Sequence, residues 1–437
     1  MKKIKVVIAG AAGRDFSNYL RYFKDNPIFE VVAFTQTQIP GIEKRIFPKA
    51  LTGKKSIPMY PESKLSSLIK KLKVDYVYLC YSDLSHQYVM EFASKVLANR
   101  ANFALLGSEE IYIKSKKPVI AVTAVRTGSG KSQTSRAIAE ILRKHGKKVV
   151  GVRHSMPYGK DLTKQRCQRF ANQDDFKIQN TTIEEEEEYQ PWLDHGFIIY
   201  AGFDYKEIVK RAEKEADIII FDGGNNDVSF LKPDLHVVVA DPHRSGHEIT
   251  YYPGFVNFLT ADVIVINKID SAKKENIGII KKHAKQYNPR AKVILAKSDL
   301  IIDRPELIKN ARACTVGDGP TLTHGGMSFG AGTLAVKQYK GKIISPKKYA
   351  IGSIKKVYER YTHLKEELPA MGYNKGQIKE LEKVINRIPC DIVIDGTPAN
   401  LKRIIKISKP IVEVNYELGK EATKELHKIL KKNKFIR

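Results

Sequence analysis

An α/β fold class follows from three features of the sequence. Short apolar runs rich in β-branched residues alternate with stretches of helical periodicity, one run leads directly into a Gly-Ser-Gly-Lys-Ser loop, and a helical pattern starts at that loop. The expected architecture is a Rossmann-like parallel-sheet domain over residues 1–116, a P-loop NTPase parallel α/β domain over 117–310, and a C-terminal α/β region with a glycine-rich loop over 311–437. A chain of 437 residues accommodates three such units at roughly 150 residues each.

In the first unit the apolar runs predict strands at Lys5–Ala9, Glu30–Thr35, Tyr76–Cys80 and Asn102–Leu106, with helices after Gly13 and from about Ser85. The Gly10-Ala11-Ala12-Gly13 loop stands where a dinucleotide site would. Phe16 replaces the third glycine of that fingerprint, and the second strand ends in Thr35-Gln36 rather than in an acid for the ribose. A docking or dimerising domain, giving a homodimer, is therefore favoured over an NAD-linked enzyme.

In the second unit Val119–Thr123, Val149–Val152, Ile218–Phe221, Leu235–Val239, Val263–Ile266 and Val293–Leu295 read as buried parallel strands. After the first comes Arg126-Thr127-Gly128-Ser129-Gly130-Lys131-Ser132, then a predicted helix Gln133–Arg143. Successive backbone N–H groups in such a loop face a phosphate. Lys131 is expected to reach the β- and γ-phosphates and Ser132 to ligate Mg²⁺. Val125 stands where the usual pattern has glycine, so the match is to the deviant form, with Arg126 in place of its first lysine. Asp222 ends its strand where a carboxylate holds the Mg²⁺ shell, although Asn225 occupies the glycine position of the DxxG motif of ordinary GTPases. Asn267-Lys268-Ile269-Asp270 matches the guanine-reading pattern, and Ala296-Lys297-Ser298 resembles its companion loop; the alternative is a solvated turn with a helix cap.

Several loops after strands are candidates for a second substrate. Arg153-His154 opens a segment reaching Tyr158, and strand ends of a parallel sheet share one crevice, which puts it near the phosphate loop. Arg153 offers a bidentate fork and His154 a donor to oxyanions. His243 and Arg244 lie in a phosphate- or water-positioning loop; Asp241, His243, His247 and Glu248 also suit a metal, without zinc being assigned. Arg166 and Arg169, three apart on a predicted helix, read as surface salt-bridging residues. The acidic run Glu184–Glu188 reads as a helix start capped by Thr181 or Thr182. The segment from Asp318 to Met327, with His324, Gly325 and Gly326, is either an anion cradle or a series of structural turns. Beyond it, strands are expected at Asp391–Ile394 and Pro410–Val414, extending the central sheet or forming a separate domain.

The formal net charge is +27, spread along the chain without a zinc finger, an RNP-like segment or a helix-turn-helix pattern. It favours anionic partners in general, and no nucleic-acid partner is expected. No run approaches the roughly 18 apolar residues of a membrane span, and no cleavable signal peptide is read at the N-terminus. Four scattered cysteines suit a reducing cytoplasm, and no membrane partner is expected.

The segments Val7–Phe16, Val125–Ser135, Arg153–Gly159, Phe221–Asp227 and Asp318–Met327 together resemble the cyclic 2,3-diphosphoglycerate synthetases, over about residues 3 to 418. That resemblance implies a P-loop fold of the class that includes the urease and hydrogenase maturation GTPases. It implies an ATP-dependent cyclising ligase that closes an intramolecular phosphoanhydride in 2,3-diphosphoglycerate, a small phosphorylated metabolite, and releases ADP and phosphate. The expected catalytic set is Lys131, Arg126, Arg153 and His154, which would offset the charge of phosphates brought together. The expected nucleotide contacts are Thr127, Gly128, Ser129, Gly130, Lys131, Ser132, Gln133, Asn267, Lys268 and Asp270, with Mg²⁺ on Ser132 and Asp222. The second substrate is assigned to Arg153, Tyr158, Arg244, His243, His324, Gly325 and Gly326. Many members are described as predicted GTPases, so the alternative is a GTPase with a regulatory or metal-delivery role and GTP in place of ATP.

Overall fold

Three large β-sheets and a two-stranded one, Leu84–Ser85 with Tyr251–Tyr252, organise the described residues of a computed structural model, which are 2–10, 13–37, 45–154, 156–157, 161–223, 227–323, 325–370, 375–398 and 401–437. The first sheet has the order Ile46–Phe47, Ile57–Pro61, Phe29–Gln36, Ile4–Ala9, Tyr76–Leu79, Asn102–Ala104. Its pairs are parallel except for the first, an antiparallel edge. That edge pair was not expected, because Pro58 and Pro61 interrupt the apolar pattern, and proline is tolerated only where no ladder hydrogen bond is needed.

The central sheet has eight strands in the order Gln168–Phe170, Ile198–Ala201, Val149–Arg153, Ile218–Asp222, Val119–Ala124, Leu235–Ala240, Val263–Ile266, Lys292–Leu295. All pairs are parallel except the Gln168–Phe170 edge. Its strands read as continuous apolar runs because both faces are covered: Ile138 and Leu142 of helix Lys131–Lys144 pack on one, and Ile208, Val209 and Ala212 of helix Tyr205–Glu215 on the other. The expected helix carrying Arg166 and Arg169 is corrected: Arg169 lies in the edge strand, and Arg166 ends a short 3₁₀ turn. Both arginines do make surface ion pairs, at 2.6 Å to Asp204 and 2.7 Å to Glu215. The acidic run begins helix Ile183–Asp194, with Thr182 and Glu185 in a reciprocal capping box.

The late strands form a sheet of their own rather than extending the central one. Ser298–Ile302, Ile411–Leu418, Ile392–Gly396 and Arg312–Gly317 lie side by side, and both Lys342–Ile343 and Glu367–Pro369 pair with Arg312–Gly317. Ser298–Ile302 falls inside the expected 117–310 span yet joins this third sheet, antiparallel to Ile411–Leu418. The final helix, Lys420–Lys432, returns to the central unit: Ala422, Leu426, Ile429 and Leu430 share one apolar cluster with Ile138 and Leu142. The carboxyl ends of Arg312–Gly317 and Ile392–Gly396 are thereby held against the phosphate loop. No helix among the described residues is long and apolar enough to cross a membrane.

Candidate active site

Strand Val119–Ala124 runs into the phosphate loop, and helix Lys131–Lys144 leaves it, so the helix N-terminus and its free N–H groups face the cavity. The loop admits no side chain at Gly130. Its φ is +99°, and a Cβ there would lie 2.0 Å from Asn267 Nδ2. Gly128, at φ +76°, is similarly closed by Thr321 of the glycine-rich segment, whose Cγ2 would be 2.6 Å from a Cβ. The loop is thus held between the central sheet and the third unit.

The Asn267-Lys268-Ile269-Asp270 turn supports this loop. Asn267 Nδ2 donates to the Ser129 carbonyl at 3.0 Å, and Lys268 Nζ donates to the Gly128 carbonyl at 2.6 Å and to Asp241 at 3.1 Å. Asp270 Oδ1 accepts from the Ser298 backbone N–H at 3.0 Å, which ties the turn to the companion loop.

At the centre, the Asp222 carboxylate accepts from four donors: Lys131 Nζ at 3.0 Å and Ser135 Oγ at 2.8 Å on one oxygen, Arg153 Nη1 at 2.7 Å and Trp192 Nε1 at 3.0 Å on the other. Burial alone would raise the Asp222 pKa, but Arg153 and Lys131 overcome it and hold the carboxyl well below its ordinary range. Burial, aided by Arg153 and opposed by Asp222, pushes the Lys131 ammonium down to about 7. Arg153 also pairs with Glu188, and its Nη1 lies 3.3 Å from Ser132 Oγ.

Ser132 Oγ and Asp222 therefore flank one position, now held by a cationic guanidinium nitrogen. Two hard oxygens around a cation suit Mg²⁺, and these are the two residues assigned to it. Among the described residues no group of three or more His, Cys, Asp or Glu is arranged to hold a metal. Asp241 binds Arg244 and Lys268, His243 faces Ser271 Oγ at 2.9 Å, and Glu248 takes His283 at 2.6 Å.

Other assigned residues are engaged elsewhere. Arg126 Nε donates to Asp83 of the N-terminal unit at 2.5 Å, its Nη1 meets His247 Nδ1 at 2.5 Å, and its guanidinium lies 3.8 Å over the Tyr251 ring. Burial, with Arg126 and Arg244 beside it, pushes the His247 imidazole down to about 4, which leaves Nδ1 a neutral acceptor. Arg126 thus joins two units and at the same time lines the cavity beside the phosphate loop. Arg244 also joins two units, linking Asp241 at 2.8 Å to the carbonyl of Gly325. Gly326 turns back on the same segment through its N–H to the Thr323 carbonyl. His154 Nδ1 lies 2.7 Å from Asp227, on the side of the N-terminal unit. Tyr158 and His324 lie outside the described residues.

Between the loop and the third unit is a cavity of about 330 Å³. It is lined by Lys131, Ser132, Arg153 and Glu188, by Asp270 and Ser298, and by Phe329, Leu334 and Tyr416 of the third unit. Sequence reasoning missed Ser135, Trp192, Phe329 and Tyr416. Ser135 was within reach of it, one turn after Lys131 on the same helix face. Nothing local marks the other three.

No family model matches the chain. The chain is 53% identical over 433 residues to the arginine synthetase ArcE of Thermococcus kodakarensis, covering 98% of this chain and 96% of that protein. Among solved structures it is similar to LpxK from Aquifex aeolicus in complex with ATP, at 13% identity and a TM-score of 0.43, over 84% of this chain and 99% of that one. It is also similar to a ParA family ATPase from Chlorobium tepidum, at 13% identity and a TM-score of 0.26, over 42% of this chain and 84% of that one. The end-to-end likeness overturns the expected product. A relative matching along 98% of the chain is named for arginine synthesis, so cyclic 2,3-diphosphoglycerate formation is withdrawn.

Proposed function

The chain belongs to the arginine synthetase ArcE family, and from that premise we propose that it is an ATP-dependent carbon–nitrogen ligase whose product is arginine. The 53% identity along the whole chain carries this reading. The phosphate loop supports it, because a synthetase needs a site where nucleotide cleavage is coupled to bond formation.

The chemistry follows from the product. A guanidinium carbon gains its last nitrogen when an oxygen on that carbon is made a leaving group. A ureido oxygen is a poor leaving group until it carries the γ-phosphoryl of ATP; ammonia then attacks the carbon and phosphate departs. The balance is ureido amino acid, ATP and ammonia in; arginine, ADP and phosphate out.

In that reaction Lys131 turns from Asp222 to the β- and γ-phosphates and stays with the transferring group. Arg153, at the strand end beside Asp222, offsets charge on the phosphoryl oxygens. Asp222 keeps both groups at the strand end before nucleotide arrives. Ser132 and Asp222 are the residues to hold Mg²⁺, which when bound would neutralise charge on the terminal phosphates. Asn267, Lys268 and Asp270 each hold a loop, a role that requires no guanine. Neither Arg126 nor Arg244 is given a chemical step; both fix the units around the cavity.

The test is direct. Protein incubated with Mg²⁺, ATP, ammonium and a 5-ureido α-amino acid should yield arginine and ADP in equal amounts, with neither formed when the ureido acid is omitted. ADP release without arginine would remove the reading.

A further inference from the structure

The N-terminal unit makes no contact with nucleotide in the reading above, yet it places a buried arginine beside the reaction edge. Arg14 opens helix Arg14–Asn18, directly after the glycine loop that follows strand Ile4–Ala9. It is 4% exposed. Its Nη2 donates to the Tyr252 hydroxyl at 3.3 Å, while Nε and Nη1 are buried with no hydrogen-bond partner among the described residues. The acid facing it, Asp227, is 3.7 Å from Nη1, beyond hydrogen-bond length. One turn on, Asn18 is 1% exposed; its Nδ2 meets Cys80 Sγ at 3.2 Å, and its Oδ1 is buried without a hydrogen-bond partner among the described residues.

Idle buried donors are costly and rare in folded proteins, and a ligand that completes them is one explanation for their retention. Position favours that explanation here. His154 and Asp227, which complete the cluster, sit beside the reacting groups in sequence: His154 follows Arg153, and Asp227 lies shortly after Asp222. Asn257 Nδ2 donates to both the Ala124 and the Asp227 carbonyls, at 3.4 and 3.3 Å, so the cluster lies at the strand end that runs into the phosphate loop. A ligand there must carry one anion for the guanidinium and one cation for the carboxylate.

We propose that the junction between the N-terminal and central sheets, at the buried cluster of Arg14, Asn18 and Asp227, binds the α-carboxylate and α-ammonium of the amino-acid substrate. Arg14 takes the carboxylate through Nε and Nη1, Asp227 takes the ammonium, and Asn18 Oδ1 accepts a second ammonium proton. The site rests on the ligase reading, and it gives the Rossmann-like unit a substrate role in place of a dinucleotide.

The experiment compares three ligands by calorimetry on the full chain: L-arginine, agmatine, which lacks the carboxylate, and Nα-acetyl-L-arginine, which lacks the ammonium. The parent should bind arginine at least tenfold more tightly than either analogue. Arg14→Gln should bring arginine and agmatine within threefold of each other and leave ATP affinity unchanged. Asp227→Asn should do the same for arginine and its acetyl derivative. If melting shows that Arg14→Gln does not fold, Asn18→Ala carries the test and should erase at least half of the discrimination against the acetyl derivative. A parent that binds no arginine overturns the ligase reading together with the site. A parent that binds arginine, with folded variants that keep its preferences, overturns the site alone.

Discussion

Asp222 in the central sheet and Glu367 and Asp395 in the third sheet are all fully or nearly fully buried, and all lie against residues that line the cavity at the phosphate loop. Burial opposes the charge of each. At Asp222 two cations, Arg153 and Lys131, reverse that pressure, and the carboxylate is charged at every working pH. At Glu367 the answering groups are the Gly330 N–H and the N–H and hydroxyl of Thr333, the hydroxyl at 3.0 Å, and burial pushes the carboxyl up to about 7. Asp395, which accepts from Thr397 and from the Leu401 N–H, is likewise pushed up to about 7. Burial alone therefore does not decide charge; the cations beside a carboxylate do. The central edge answers burial with cationic partners that phosphate can take over, whereas the third sheet answers it with uncharged hydrogen-bond donors.

The sharpest way to break this contrast is to remove a cation. Lys131→Ala should lower ADP formation by roughly a thousandfold, about 4 kcal/mol of transition-state stabilisation. The fold should persist, because Asp222 keeps Arg153, Ser135 and Trp192. A melt within a few degrees of the parent, alongside lost turnover, checks both halves. The parent offers a second reading of the same group. With Lys131 at about 7, its ammonium is largely neutral at pH 8, and phosphate restores the charge. ATP binding at pH 8 should then take up a proton, seen as a binding heat that varies with the ionisation enthalpy of the buffer. A heat independent of buffer would refute the depressed value.

The other side of the contrast is tested at Glu367. Its folded pKa of about 7 lies above the ordinary 4.5, so the native state holds the extra proton. That contribution to stability is fully present below about 4.5 and is lost as pH rises through about 7. Glu367→Gln removes the loss. The fall in unfolding free energy between pH 5 and pH 8 should shrink by about 2–3 kcal/mol, the larger part of the equivalent of the displaced pKa. Denaturant titrations at the two pH values measure it, and an unchanged fall would show that Glu367 titrates normally.

What was legible in the sequence is what is contiguous in it. The phosphate loop, its strand and its helix occupy one stretch, and Asp222 announces itself by ending an apolar run. The partners that make these groups work come from far along the chain. Trp192 reaches Asp222 from another helix, Thr321 closes Gly128 from the third unit, and Asp83 takes Arg126 from the first. No periodicity encodes such meetings, so Arg126 and Arg244 read as free cations although each joins two units. Strand Arg312–Gly317 escaped notice because Cys314, Thr315 and Gly317 dilute its apolar character, yet it is the hub of the third sheet. The product was the least legible feature of all. A phosphate loop specifies that a phosphoryl group moves, and the acceptor is specified by side chains elsewhere.

The smallest effect expected is at Asp270, and it separates support of a loop from reading of a base. If the Asn267-Lys268-Ile269-Asp270 turn selected guanine, Asp270 would accept from both donors of that base, and losing its charge would cost tenfold or more in GTP affinity. Here one carboxylate oxygen already accepts from the Ser298 N–H at 3.0 Å, while Asn267 and Lys268 are spent on the phosphate loop carbonyls. The parent should therefore use ATP at least as well as GTP. Asp270→Asn keeps an oxygen for Ser298 and should shift the ATP-to-GTP ratio by less than threefold, with stability lowered by roughly 0.5–1.5 kcal/mol through the weaker hydrogen bond. Competition binding with the two nucleotides, paired with a melt, distinguishes the cases. A parent that prefers GTP, and loses that preference on substitution, would return the turn to base recognition and make GTP the energy donor of the ligase.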